Sequence, residues 1–281
     1  MKNLILTTFL FFNFSLSAQI VQESLFLSSP TQSDLRILKL LGDITLDHPD
    51  ETGIEIYGPW GTKEKLEKLG LRTFKLKSPK KNITNYPSHQ QITEKLQNLA
   101  SLYPEILKLF SVGESRQGRN LWMMKISKNV QIDETEPEVK YIANMHGDEI
   151  VGRELMLKLI EDFAKNYKVD SKITELIDQT EIFIMPSMNP DGAESRRRGN
   201  ASWVDLNRNF PDFTSHDDVN NPSGREPETQ AIMHFQSERQ FSLSANFHGG
   251  AVCVNYPWDT SGEKFPLNDT IVDFSLRYAN D

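Results

Sequence analysis

One cysteine, Cys253, stands alone in a chain of 281 residues. A single thiol makes no internal disulfide, so stability has to come from core burial or from a metal. Cationic side chains are also in short supply. Against 39 Asp and Glu there are 31 Lys and Arg, a formal charge of −8. That deficit argues against a nucleic-acid binder, which presents a basic surface; it fits a cationic substrate only weakly. Neither an internal repeat nor a low-complexity tract is present, so a repeat array is excluded.

A long apolar run occurs once, at the start. "MKNLILTTFLFFNFSLSAQ" has a positive Lys2, an apolar stretch from Leu4 to Leu16, and small Ser15, Ser17 and Ala18 near a cleavage point. It is too short for a comfortable membrane span and reads as a secretory signal peptide over residues 1–18. The bland alternative is a short buried N-terminal element. The expectation is an exported chain, secreted or periplasmic, with no membrane span once the signal is removed.

Beyond that run the chain divides in two. Residues 20–78 read as a small βαββαβ unit, a ferredoxin-like α+β domain. "SLFLS", "ITLDH", "GIEIYG" and "RTFKLK" are its strands; "TQSDLRILKLLG" and "GTKEKLEKLG" are its capped helices. Residues 79–85, polar and lacking apolar periodicity, form a linker in which Lys80-Lys81 is a solvated basic pair or a processing site. From residue 86 to 281, strands alternate with helices, which indicates an α/β sheet. "HQQITEKLQNLASLYPEI" is a helix ending before Pro104, and "EIVGRELMLKLIEDFAKNY" is a second with Leu155, Met156, Leu159, Ile160 and Phe163 on one side. "ILKLFSVG", "LWMMKIS", Val139–Met145, "TEIFIMPS" and "FSLSANF" are strands.

Polar residues collect at the carboxyl ends of those strands. His146 and Glu149, three apart in "HGDE", follow the strand at Val139; "NPDG" follows the strand ending near Met185; His248 follows the strand ending near Phe247. Open α/β sheets gather ligands in that crevice. Two histidines and a carboxylate suit a zinc ion that keeps a position open for water. Alone, a His-x-x-Glu pair is common at a helix start, and a histidine before Gly249-Gly250 is an ordinary turn residue. Their conjunction is more specific than either. "ESRRRGNASWVDLNRNFPD" adds Arg196, Arg197, Arg198, Asp205, Asn207 and Arg208. An arginine triplet by itself is a solvated loop, but guanidinium groups held in place grip carboxylates with two hydrogen bonds.

Taken together, "HGDE", "NPDG", "VDLNRNFPD" and "NFHGGAVCVNYPWD" resemble the zinc metallocarboxypeptidases of the carboxypeptidase A/B clan, most of all the branch with carboxypeptidases N, E, M and D. The resemblance covers roughly residues 86–281. It implies a mixed sheet of the eight-stranded carboxypeptidase type with helices on both faces, incomplete at the C-terminus, and one zinc per chain. It implies His146, Glu149 and His248 as metal ligands and Asp205 as the carboxylate holding the first histidine. Asn207 and Arg208 match the pair that binds a substrate's terminal carboxylate, and Arg198 the donor to the oxyanion. Arg196 and Arg197 fall out of register and read as solvated. Asp259, eleven residues after His248, matches a pocket aspartate that favours C-terminal Lys or Arg, although an exposed turn aspartate is the alternative. The implied partners are peptide or protein C-termini.

The resemblance also implies a glutamate general base well downstream of the third ligand, and a tyrosine that covers the substrate. Glu263 is too close to His248 to match, and Tyr278 has no matching context. The sequence thus reads as a piece of a longer product or as a degenerate member. A zinc-binding pseudoenzyme that holds peptide C-termini is one alternative. A zinc amidase or deacylase is another, disfavoured by Arg198, Asn207 and Arg208.

Overall fold

The computed structural model describes residues 22–41, 44–47, 52–76, 86–212, 217, 219–250, 252–258 and 262–280. The expected signal peptide, the linker at 79–85 and Asp259 lie outside the described residues.

The N-terminal unit runs β1 (Gln22–Ser28), α1 (Gln32–Lys39), β2 (Thr45–Asp47), β3 (Gly53–Pro59), α2 (Thr62–Lys68) and β4 (Phe74–Lys75). Thr31 starts α1 with a reciprocal cap: its hydroxyl accepts from Asp34 N at 3.2 Å, and Asp34 Oδ2 accepts from Thr31 N at 2.8 Å. The four strands pair antiparallel in the order β2-β3-β1-β4. Leu25 lies opposite Ile56 and Leu27 opposite Ile54. Alternation puts these four side chains on one face, where Leu38 of α1 and Leu66 of α2 close over them.

The larger unit runs α3 (His89–Leu102), β5 (Leu107–Glu114), β6 (Asn120–Ile126), β7 (Glu138–Ala143), α4 (Ile150–Asn166), α5 (Ser171–Gln179), β8 (Glu181–Met185), α6 (Pro190–Ser195), a 3-10 turn (Leu206–Arg208), α7 (Pro227–Ser237), β9 (Phe241–Phe247) and α8 (Asn268–Asn280). Among the described residues its sheet has five strands, ordered β5-β6-β8-β7-β9. β7 is parallel to β8 and β9, while β6 is antiparallel to β5 and β8. The sheet is therefore mixed, as expected. Period-2 alternation splits the core. Met124, Ile126, Ala143, Ile182 and Ile184 pack against α3 and α4 on one face; Met123, Ile142, Phe183 and Met185 pack against Ile232 and Phe235 of α7 on the other. A strand covered on both faces carries apolar residues throughout its middle. Because β7, β8 and β9 share a direction, the segments leaving them emerge at one edge. No helix among the described residues is long and apolar enough to cross a membrane.

Two expectations need correction, and helices α5 to α8 were not expected. β7 ends at Ala143, not Met145, because Asn144 adopts φ 58° and breaks the extended backbone. α4 buries Met156, Ile160 and Phe163 as expected, but Leu157, 1% exposed, takes the place expected of Leu155, 55% exposed. The buried positions 153, 156, 157, 160, 163 and 164 form the i, i+3, i+4 stripe, and Leu155 falls outside it. Asp170 caps α5, accepting from Lys172 N and Ile173 N, and only Ile177 of its residues is buried.

The two α4 faces give opposite expectations for one substitution. Leu157→Ala should cost about 2–5 kcal/mol by chemical denaturation, through transfer and cavity terms. Leu155→Ala should stay within about 0.5 kcal/mol. Equal losses would mean that α4 packs on the other face.

Candidate active site

Three segments leaving the common sheet edge meet at His146. The chain turns at Asn144, passes through "HGDE" and enters α4, with Glu149 at the position preceding its first turn. Glu149 Oε1 lies 2.9 Å from His146 Nδ1, and Glu149 Oε2 lies 3.0 Å from His248 Nδ1. The two imidazole Nδ1 atoms are 3.2 Å apart. On the other side of the first ring, Asp205 Oδ1 is 3.1 Å from His146 Nε2. That carboxylate accepts the Nε2 proton, which turns a lone pair at Nδ1 toward Glu149 and His248. Lone pairs and a carboxylate thus face one another at contact distance. Such a group demands a cation between its members, either a proton or a metal.

The electrostatics agree. Burial works to lower the His146 pKa, but its hydrogen bonds to Asp205 and Glu149 outweigh this and hold it above the ordinary imidazole value. Burial works to raise Glu149, but hydrogen bonds with His146 and His248 prevail and hold its carboxyl at about 2. Asp205 is likewise held low against its own burial, by the His146 hydrogen bond and the Arg198 charge. The carboxylates stay ionised, and the first imidazole draws positive charge. Two imidazoles and one carboxylate form a donor set that fits zinc with a position left for water. His146 is the buried member and His248 the outermost.

A family model described as zinc carboxypeptidase matches residues 92–281. The chain belongs to the zinc carboxypeptidase family. It is 47% identical over 202 residues to carboxypeptidase D of Homo sapiens, covering 66% of this chain and 14% of that protein. It is 46% identical over 182 residues to carboxypeptidase M of Mus musculus, covering 61% of this chain and 40% of that protein. Against the catalytic chain of carboxypeptidase N of Homo sapiens the identity is 39% over 223 residues, 69% of this chain and 48% of that protein. The chain therefore spans less than half the length of these relatives. Among solved structures, carboxypeptidase A from Helicoverpa armigera has a TM-score of 0.69 at 18% identity, over 94% of this chain and 78% of that one. Thrombin activatable fibrinolysis inhibitor has a TM-score of 0.65 at 17% identity, over 91% of this chain and 79% of that one. Both likenesses show a shared fold.

In this chain Arg198 is 5% exposed, and its Nε donates to Asp205 Oδ2 at 3.0 Å. One carboxylate therefore orients both His146 and Arg198. Arg198 Nη1 stands 4.0 Å from Glu149 Oε1, so its guanidinium borders the ligand group. On its other side Cζ lies 5.0 Å from the ring centre of Tyr57, a residue of β3 in the small unit that is 8% exposed. Asn207 and Arg208 occupy the 3-10 turn after Asp205 and are exposed. Asp205 Oδ1 accepts from Asn207 N at 2.9 Å, which ties the turn to the same carboxylate.

Two bracing residues escaped the sequence reading. Asn144, fully buried, donates from Nδ2 to the carbonyls of His146 and Gly147 at 2.8 and 3.2 Å. Asn189, also fully buried, donates from Nδ2 to Met145 O and Arg198 O, both at 3.2 Å. It joins the loop before His146 to the loop holding Arg198. The signal was slight: Asn144 directly follows β7, and Asn189 opens "NPDG" four residues past the end of β8. Gly147 is needed for close approach, since a Cβ there would lie 2.2 Å from the Gly192 carbonyl carbon. Arg197 requires correction: it is half-buried, its Cζ 4.3 Å from the Trp203 ring centre. The left-handed turn at Arg196, φ 52°, redirects the chain inward there.

Metal content tests the ligand set. The wild-type chain should retain one zinc, His248→Ala should lose it, and Asp205→Asn should weaken it by roughly 10–100-fold. Elemental analysis after dialysis against buffered zinc reads all three. Full zinc retention by His248→Ala would remove His248 from the set.

Proposed function

We propose that this chain serves as a zinc-dependent exopeptidase module that acts on peptide or protein C-termini, with Lys or Arg favoured at the last position. The observation that carries the reading is the approach of His146, Glu149 and His248 to within 3.2 Å of one another through their ligand atoms. Zinc held there would supply Lewis-acid polarisation and a water acidified to a pKa of ~7. The other steps belong to the side chains. Asp205 fixes the His146 ring, so that its Nδ1 lone pair is aimed at the metal position. Arg198, oriented by the same carboxylate, offers guanidinium N–H groups where the carbonyl oxygen becomes an oxyanion. One good donor of that kind is worth about 2.7–4 kcal/mol. Asn207 and Arg208 are the terminal-carboxylate clamp. Only a free C-terminus satisfies such donors, which accounts for exo-action over endo-action.

Within the described site, Glu149 and Asp205 are both engaged by the histidines, and neither is placed to accept the water proton. We therefore assign proton transfer to a residue outside the described site. General acid–base help of this kind is worth about 10²–10⁴-fold. The rival pseudoenzyme reading shares the metal and the clamp and differs only in turnover. Asp259 is proposed as the specificity carboxylate, since a partly desolvated carboxylate attracts a cationic side chain. Residues 1–18 support export of the chain.

Peptides ending in Arg, Phe and Glu, offered to zinc-loaded protein, test this reading by equilibrium binding and by turnover. Binding should favour Arg, and Asp259→Ala should remove that preference. Turnover should follow the same order of peptides. Preference for Phe would take Asp259 out of the pocket, and binding with no turnover would favour the pseudoenzyme reading.

The small unit is proposed as a pro-segment that covers the cleft. Its support is the Tyr57 ring stacked toward Arg198, the residue assigned to the oxyanion. A substrate carbonyl and Tyr57 would compete for that guanidinium. Tyr57→Ala should tighten binding of a C-terminal Arg peptide by roughly threefold to thirtyfold, the range one desolvated cation–π contact supports. Unchanged affinity by calorimetry would separate the small unit from the cleft.

A further inference from the structure

A second gathering of carboxylates lies at the opposite end of the same strands. Glu138 opens β7, Glu181 opens β8, and the segment between β6 and β7 brings Asp133, Glu134 and Glu136 beside them. Three cations answer these five carboxylates. Lys125 Nζ donates to Glu181 Oε1 at 2.5 Å, and Lys128 Nζ to Glu136 Oε1 at 2.6 Å. Arg239 Nη1 donates to Asp133 Oδ1 at 2.5 Å and to Glu138 Oε1 at 2.8 Å. Two negative charges remain in excess.

One of the two charges stays on Asp133 and Glu138, which share Arg239, and the other on Glu134, Glu136 and Glu181, which have Lys125 and Lys128. The second subset differs in holding oxygens that no described donor reaches. Each of its members offers a carboxylate oxygen within 4.8 Å of the others. Each has one oxygen served: Glu134 Oε1 by Asn129 Nδ2 at 2.9 Å, Glu136 Oε1 by Lys128, and Glu181 Oε1 by Lys125 and by Glu134 N at 3.2 Å. The Oε2 atoms of all three are shielded from water and accept no hydrogen bond from any described donor. Glu181 is 0% exposed. Arg239 Nη1 comes no nearer to Glu181 Oε2 than 3.8 Å, beyond hydrogen-bond reach, and already donates to Asp133 and Glu138. A buried acceptor left bare is costly, and one on an ionised carboxylate more so. Three bare acceptors within one group of carboxylates call for a cation that can take more than one of them.

We propose that Glu134, Glu136 and Glu181 bind a hard divalent cation, calcium, at a site separate from the histidine centre. Oxygen-only ligands select a hard ion over zinc. Calcium, with its flexible coordination, suits an irregular segment better than magnesium, which demands a near-ideal octahedron. The ion would pin residues 127–137 to the start of β8. It thereby anchors the base of the strands whose far ends lead to His146 and Asn189.

Zinc-loaded protein, dialysed against calcium chloride at constant zinc, should bind one calcium per chain. Its Tm should rise by roughly 3 °C or more at saturation. Glu136→Gln and Glu134→Gln, both at half-exposed positions, should each weaken calcium at least tenfold and leave zinc content unchanged. They are preferred to Glu181→Gln, whose buried pairing with Lys125 makes loss of folding an ambiguous result. Absence of stoichiometric calcium together with an unmoved Tm would overturn the site. So would calcium retained at full affinity by both variants, or magnesium bound in preference to calcium.

Discussion

The Asp205 carboxylate is the constraint on which the rest of the site depends. One oxygen meets His146 Nε2, the other meets Arg198 Nε, and the first also takes the Asn207 amide. A single buried anion therefore orients His146, the proposed metal ligand, and Arg198, the proposed oxyanion donor, and ties down the turn that carries Asn207 and Arg208. Burying that anion is expensive in isolation. It is tolerable because each oxygen has a charged or strongly polar partner. Removing one partner strands the others, so these residues behave as a unit and their effects should not add.

The backbone around Asp205 is braced for the same reason. Asn144 and Asn189 spend their amide hydrogens on carbonyls of the loops that carry His146 and Arg198. Gly147 N donates to Arg198 O at 3.1 Å, which closes the link directly. A preorganised centre needs supports of this kind, since a ligand set on unsupported loops loses the geometry that gives it affinity.

Some of this was legible in the sequence for a definite physical reason. His146 follows a short apolar run and His248 the alternating "FSLSANF", both of strand length, and parallel strands deliver their ends to one edge. The capped helix α1 and the alternating β1 and β3 could be read locally too, because caps and period-2 patterns are local physics. The edge of the α4 face was not legible. "ELMLKLI" offers apolar residues in nearly every direction, and only packing against the sheet selects Leu157 over Leu155. Asn144 and Asn189 were passed over because an asparagine after a strand is also an ordinary turn former. The contact between Tyr57 and Arg198 joins two separate units, 141 positions apart in the chain, and no local pattern encodes it.

The two ends of β7 and β8 show one electrostatic problem solved in two ways. Between them lie strands with apolar, buried middles, Ile182 to Met185 and Ile142 to Ala143, which exclude water and leave little screening. Charges at each end must then be balanced within reach of their own contacts. At the carboxyl end, Glu149 and Asp205 are set against Arg198 and two imidazoles, one of which is drawn toward positive charge. Nitrogen ligands dominate, and a borderline-soft ion fits. At the amino end there is no imidazole among the described residues of the cluster. Lys125 and Lys128 each satisfy one oxygen of a carboxylate, Arg239 bridges Asp133 and Glu138, and the Oε2 atoms of Glu134, Glu136 and Glu181 are left bare, so a hard ion would fit. The same apolar span that isolates the ends also couples them mechanically. A cation bound at the start of β8 and the segment entering β7 would stiffen the strands that lead to His146 and Asn189. Order around His146 would then depend on charge balance at the far end of the sheet.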